Sequence, residues 1–149
     1  MSLLFTEELI KKGIKVETVR LKGGEGTFVG ESIRALLKKK VKLEREYDAS
    51  DYDLIFIGSP VWAFSPTPAI YTFLEEIKGV ENKRSFIFIT YGSGAGKDRA
   101  LRIMKEILRK KGSKDIYAFH IGERELKNLK RVREKVKFFL ESSLPSLLS

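Results

Sequence analysis

Apolar positions recur at two periods along this chain, and the two periods take turns. In "SLLFTEELIKK", Ser2 to Lys12, the residues Leu3, Leu4, Leu9 and Ile10 fall largely on one side of a helix, and Gly13 closes it. Ile14 to Leu21, "IKVETVRL", alternates apolar with polar and predicts a half-exposed strand. A glycine-rich connection leads to "GESIRALLKKK", a second predicted helix. Leu54 to Ile57 is an unbroken apolar run between an acidic turn and Gly58, the pattern of a strand buried on both faces. "TPAIYTFLEEIKG" predicts a helix with Pro68 near its start and Gly79 at its end. Ser85 to Thr90, "SFIFIT", predicts another buried strand, and "DRALRIMKEILRKKG" a helix. Asp115 to Ile121, "DIYAFHI", predicts a further strand, and Leu126 to Leu140 the closing helix. The chain is expected to form one domain over residues 1–149, with 141–149 as a frayed tail.

Strict alternation of helix and strand predicts a parallel sheet with helices on both faces. Ligands of such sheets gather where loops leave the carboxyl ends of the strands. Two unusual loops leave there. "GSPVWAFSPTP", Gly58 to Pro68, holds the only Trp and three of the four prolines; "YGSGAGK", Tyr91 to Lys97, is glycine-rich. Trp62 and Phe64 on a stiff loop suggest a surface built to hold something; the plainer reading packs Trp62 on the neighbouring helix or in an interface.

Composition narrows the chemistry. With no cysteine, disulfides, thiolate catalysis and cysteine-held zinc or iron–sulfur sites are excluded, and one histidine excludes most histidine-based metal sites. No apolar run approaches the roughly 18 residues of a membrane span, and no signal-peptide pattern is present, so a cytoplasmic location is expected. Lys and Arg outnumber Asp and Glu by 29 to 20, a net charge of +9 that favours acidic partners. Charged residues make up 33%, a Lys- and Glu-rich balance that resembles heat-adapted proteins.

Other motifs carry less. "GSGAGKD" is close to a P-loop, but three residues rather than four separate Gly92 from Gly96, and Asp98 stands where Ser or Thr should bind magnesium. Asp98 is expected to cap the following helix, with Lys97 solvated. Gly24, Gly26 and Gly30 are a loose echo of a dinucleotide fingerprint, with Glu25 set to repel phosphate; a flexible connection is the simpler reading. His120 ends a strand without a placed carboxylate, which suits a structural or surface role. The basic stretches "LLKKKVK", "ILRKKGSK" and "LKNLKRVREKVK" read as solvated faces without a nucleic-acid reader motif.

"YDLIFIGSPVWAFSPTPAIYTFLEEI" resembles the third strand, tryptophan-bearing flavin loop and following helix of the flavodoxin-like family. "RSFIFITYGSGAGKDRALRIMKEIL" is similar to that family's fourth strand, second flavin loop and next helix, and "KDIYAFHIGE" to its fifth strand. The resemblance implies an α/β fold of three layers, α-β-α, around a mostly parallel sheet, and FMN as cofactor. It implies contact with the flavin from Ser59, Pro60, Val61, Trp62, Ala63 and Phe64 in one loop and from Thr90, Tyr91, Gly92, Ser93 and Gly94 in the other. A flavin ring is a flat apolar plate with polar edges; Trp62 and Phe64 supply a face, and the glycines let backbone approach an edge. No side chain is expected to be catalytic and no metal is expected, because the chemistry would belong to the flavin.

The family pattern opens with a strand and a phosphate-wrapping loop that this sequence lacks before Ser2. The sheet is therefore expected without its first, central strand, and FMN binding is expected to be weak or absent in the chain as given. The function implied is an FMN-binding electron-transfer protein or small FMN-dependent oxidoreductase. The alternative is a flavodoxin-fold scaffold that has lost FMN and binds protein. Expected partners are an acidic redox protein and, in addition, a second copy in a homodimer; neither nucleic acid nor membrane is expected.

Overall fold

Three apolar runs pair side by side and set the architecture. A computed structural model describes residues 1–22 and 41–145. Helix α1 is Ser2–Lys11, followed by strands β1 (Leu54–Trp62) and β2 (Ser65–Pro66), then helix α2 (Pro68–Glu76). Strand β3 (Arg84–Tyr91), helix α3 (Lys97–Lys110) and strand β4 (Asp115–Gly122) come next, and helices α4 (Glu123–Leu126) and α5 (Leu129–Ser143) close the described chain. The expected glycine-rich connection from Gly24 to Gly30 and the helix over "GESIRALLKKK" lie outside the described residues. The chain divides into two compact units, one of Met1–Arg20 with Glu123–Ser149 and one of Leu21–Gly122.

The larger unit carries a mostly parallel sheet in the order β2-β1-β3-β4. β1 and β3 run parallel from Leu54 opposite Arg84 to Pro60 opposite Thr90. β3 and β4 run parallel from Arg84 opposite Asp115 to Tyr91 opposite Gly122. β2 is antiparallel, joined to the end of β1 through Val61–Pro66 and Trp62–Ser65. Fold class is α/β, as the alternation of periods predicts.

Side chains alternate across these strands, so each register row presents one residue type to one face. Ile55, Ile57, Ile87 and Ile89 face Leu74 of α2 and Leu101, Met104 and Leu108 of α3 in one apolar core. Each such fully buried side chain contributes about 1.5–3 kcal/mol. On the opposite face, Phe56, Phe86 and Tyr117 share a row and stack across three strands, with centroid separations of 4.4 and 4.9 Å and planes within 6° and 16°. The next row explains a glycine inside a strand. A Cβ on Gly58 would lie 2.1 Å from the Phe88 ring, so the aromatic occupies space that any side chain at 58 would need.

In the smaller unit, Phe5 of α1 meets Phe139 of α5 edge to face at 6.1 Å. Arg133 donates to Glu7 at 2.8 Å and to Glu8 at 3.2 Å, and Lys11 donates to Glu8 at 2.7 Å. The Lys11 hydrogen bond, with Arg133 adding to it and burial opposing it, holds the Glu8 carboxyl below its ordinary range.

Four expectations change. Ile14–Leu21 is not a strand: the segment belongs to no ladder among the described residues, because alternation makes a strand only where a neighbouring backbone offers hydrogen bonds. The closing helix is interrupted at Lys127 and Asn128, where the Asn128 side chain accepts from the Arg131 N–H at 3.1 Å and starts α5 afresh. The closing helix also runs past its expected end at Leu140, to Ser143, and Leu144 beyond it is fully buried; residues 146–149 of the expected tail lie outside the described residues. Gly58 to Trp62 is not a loop but continues β1, leaving only two residues to turn the chain.

Candidate functional site

The carboxyl ends of β1 and β3 bring the two unusual segments together. β1 and β2 form a hairpin whose turn is Ala63 and Phe64, both left-handed at φ 44° and 64°. Positive φ at both central residues matches the right-handed twist of paired strands, and glycine or asparagine normally takes these places. Here alanine and phenylalanine take them, so the turn holds strain of order 1–2 kcal/mol per residue. The Phe64 ring is left 50% exposed.

Neighbouring contacts hold this turn in place. Gly96 has φ 80°, and a Cβ there would lie 2.6 Å from both Cα and Cδ1 of Phe64, so the glycine segment lies directly against the turn. Arg99, in the first turn of α3, donates from Nη1 to the Phe64 carbonyl at 3.2 Å. Below the turn, the buried Ser59 hydroxyl donates to the Pro60 carbonyl at 2.8 Å and accepts from the Thr67 N–H at 3.0 Å, joining β1 to the start of α2. Pro60 costs the ladder one donor and is tolerated near the strand end.

The remaining residues singled out in the sequence fall as follows. Val61 packs against the core and Trp62 is half-buried, neither sealed in nor fully open. Thr90 lies on β3 between Pro60 and Ile121. Tyr91 sits 5.8 Å from the exposed His120 ring, with Lys97 Nζ 5.9 Å from its centroid. Gly92 and Ser93 are exposed, the Ser93 hydroxyl accepts from the Ala95 N–H at 3.4 Å, and Gly94 lies beside the Tyr91 ring.

Two expectations at the start of α3 are corrected. Gly96, not Asp98, is the N-cap, and it makes no side-chain hydrogen bond; Asp98 lies within the first turn, where its charge still suits the helix dipole. Lys97 is not simply solvated: its side chain is 27% exposed and lies over Tyr91, 3.5 Å from Asp98. Sequence reasoning missed Arg99, which no motif marks, and Ser65. The Ser65 hydroxyl is 1% exposed and has no hydrogen-bond partner among the described residues, which costs about 1–3 kcal/mol at the base of the turn.

These residues suit the ring of a flavin: a half-buried indole beside a strained turn, an adjoining glycine-lined backbone and an orphaned buried hydroxyl. Among the described residues, no group of three acidic, histidine or cysteine side chains could hold a metal, and no helix is long and apolar enough to cross a membrane.

Parallel strands with a hairpin and a glycine-rich segment at their carboxyl ends define an open α/β sheet of the ligand-binding type. The chain belongs to the flavodoxin family, whose model matches residues 33–137, well over half of its length. No curated protein matches it.

Proposed function

We propose that this protein binds FMN at the carboxyl ends of β1 and β3 and works as an electron-transfer protein or small FMN-dependent oxidoreductase. The observation that carries the reading is the seat of Phe64 on Gly96, which joins the aromatic turn and the glycine segment into one surface. Trp62 and Phe64 would offer the apolar face, with Val61 and Ala63 lining it. The backbone of Thr90, Tyr91, Gly92, Ser93 and Gly94 would meet the polar edge. Ser59 and Pro60 would act from behind, by holding the turn's position. FMN, when bound, supplies the one- and two-electron chemistry. The chain's own part is to orient the ring and shield one side of it from water.

Titration with FMN tests this, followed by flavin fluorescence and by Trp62, the only tryptophan. Saturable quenching of both at one equivalent, lost in Trp62→Leu, is the expected result. Unchanged emission of both would overturn the proposal. It would leave the alternative, a flavodoxin-fold scaffold that binds protein without FMN, which draws on the half-exposed Phe64 ring.

A further inference from the structure

The strained turn and the outer side of α3 together form one continuous surface of unusual chemistry. Arg99 is bound to the Phe64 carbonyl, and from it a row of cations follows the helix: Arg102, Lys105, Arg109 and Lys110. Spacings of three, three and four residues keep Arg99, Arg102, Lys105 and Arg109 on one side of the helix, since residues three and four apart are neighbours. Arg102, Arg109 and Lys110 are exposed and Lys105 is half-exposed. Glu106 stands four residues from Arg102 and Lys110 and three from Arg109, within the register that ordinarily forms ion pairs. None of these four cations makes an ion pair among the described residues. Lys97 at the start of the same helix does have a carboxylate partner, Asp98, so the unpaired row begins beyond the first turn of α3.

At the head of this row stands Phe64, half exposed, on backbone that strain would otherwise disfavour. Strained residues persist where surrounding contacts over-determine them, and they concentrate at working surfaces. An exposed aromatic beside arginines is also the composition of protein-binding hot spots rather than of a phosphate-tracking groove. Asp98 and Glu106, interleaved with the row, would repel a nucleic-acid backbone but are tolerated by a protein surface of mixed charge.

We infer that Phe64 and the α3 row form a docking surface for an acidic protein, with Phe64 as the apolar anchor and Arg102, Lys105 and Arg109 as the steering charges. The inference goes beyond the flavin reading; the two share the Phe64 ring, so the test is read without FMN and turns on the α3 charges, which the flavin reading does not use.

The test uses the full chain without FMN and a fluorescent acidic peptide of alternating glutamate and glycine ending in phenylalanine, with binding read by anisotropy. Two charge-reversal variants of equal net charge are compared: Arg102→Glu with Arg109→Glu on α3, and Lys130→Glu with Lys137→Glu on α5. The expected result is at least about tenfold weaker binding for the α3 variant, little change for the α5 variant, and a further loss on Phe64→Ser. Circular dichroism checks that each variant is folded. Equal weakening by both reversals would overturn the inference, because net charge alone would then explain binding. Failure of the unaltered protein to bind the peptide would overturn it too. So would tighter binding of a DNA duplex through the same α3 residues.

Discussion

The same three parallel strands end in two different ways. At their amino ends, polar groups are satisfied. The Lys83 ammonium, just before β3, donates to the carbonyls of Ala49, Ser50 and Tyr52 at 2.5, 2.6 and 2.5 Å. The Ser113 hydroxyl donates to the Lys83 carbonyl at 2.9 Å and lies 2.8 Å from the Ser85 hydroxyl. Asp48 Oδ1 accepts from both the N–H and the hydroxyl of Ser50. The left-handed non-glycine residue near these ends is Asn82, a type that tolerates it. At their carboxyl ends, an alanine and a phenylalanine sit in left-handed conformations, the buried Ser65 hydroxyl has no partner among the described residues, and Phe64 faces water. One end is arranged for stability and the other keeps tension in place. In open α/β sheets the carboxyl end is where ligands bind, so the imbalance lies where a binding site is expected.

Substitutions at the two ends should therefore have opposite signs. The largest effect is expected for Lys83→Met, which leaves three carbonyls without their shared cation and should destabilise the protein by about 2–3 kcal/mol in denaturant unfolding. A loss under about 0.5 kcal/mol would mean that the amino end is not the braced one. Ala63→Gly should do the reverse. Relief of the left-handed alanine, less the entropy of a glycine in the unfolded chain, should stabilise by about 0.5–1 kcal/mol, while FMN affinity falls. A destabilised Ala63→Gly protein would remove the claim that this turn holds strain.

The smallest effect concerns acid. Hydrogen bonds from the Ser50 hydroxyl and then the Ser50 N–H, aided by Lys78 and Lys83 and opposed by burial, keep the Asp48 carboxyl below its ordinary range. A carboxyl depressed in the folded state stabilises fully above its unfolded pKa, and that stabilisation is lost as pH falls through the folded value. Amide exchange at Ser50 should accordingly rise as pH drops below about 4, relative to the base rate of exchange, with no matching change at Ala63 or Phe64. In Asp48→Asn that acid-dependent rise should disappear.

The core strands were legible because their signal is local. Leu54–Ile57, Ser85–Thr90 and Asp115–Ile121 are apolar enough that few other arrangements would bury them, and all three pair in the structure. Ile14–Leu21 was misleading for the same reason: alternation describes one strand's preference and says nothing about whether a neighbour is there to pair with it. At the site, the two loops could be named from glycine, proline and tryptophan content. Their meeting could not, since Phe64 and Gly96 are brought together only by the register of β1 on β3. The hairpin was hidden because Ala-Phe gives none of the Asn-Gly signal that usually marks such a turn. Arg99 and Ser65 were hidden because one acts through a backbone carbonyl and the other by lacking any partner.

The stacked rings of Phe56, Phe86 and Tyr117 have a consequence for assembly. They act as a phase lock. A slip of one residue in any strand would turn its ring to the other side of the sheet and break the column. The strands can therefore mate productively in one alignment, and that alignment sets Phe64 against Gly96 at one end and Lys83 among its carbonyls at the other.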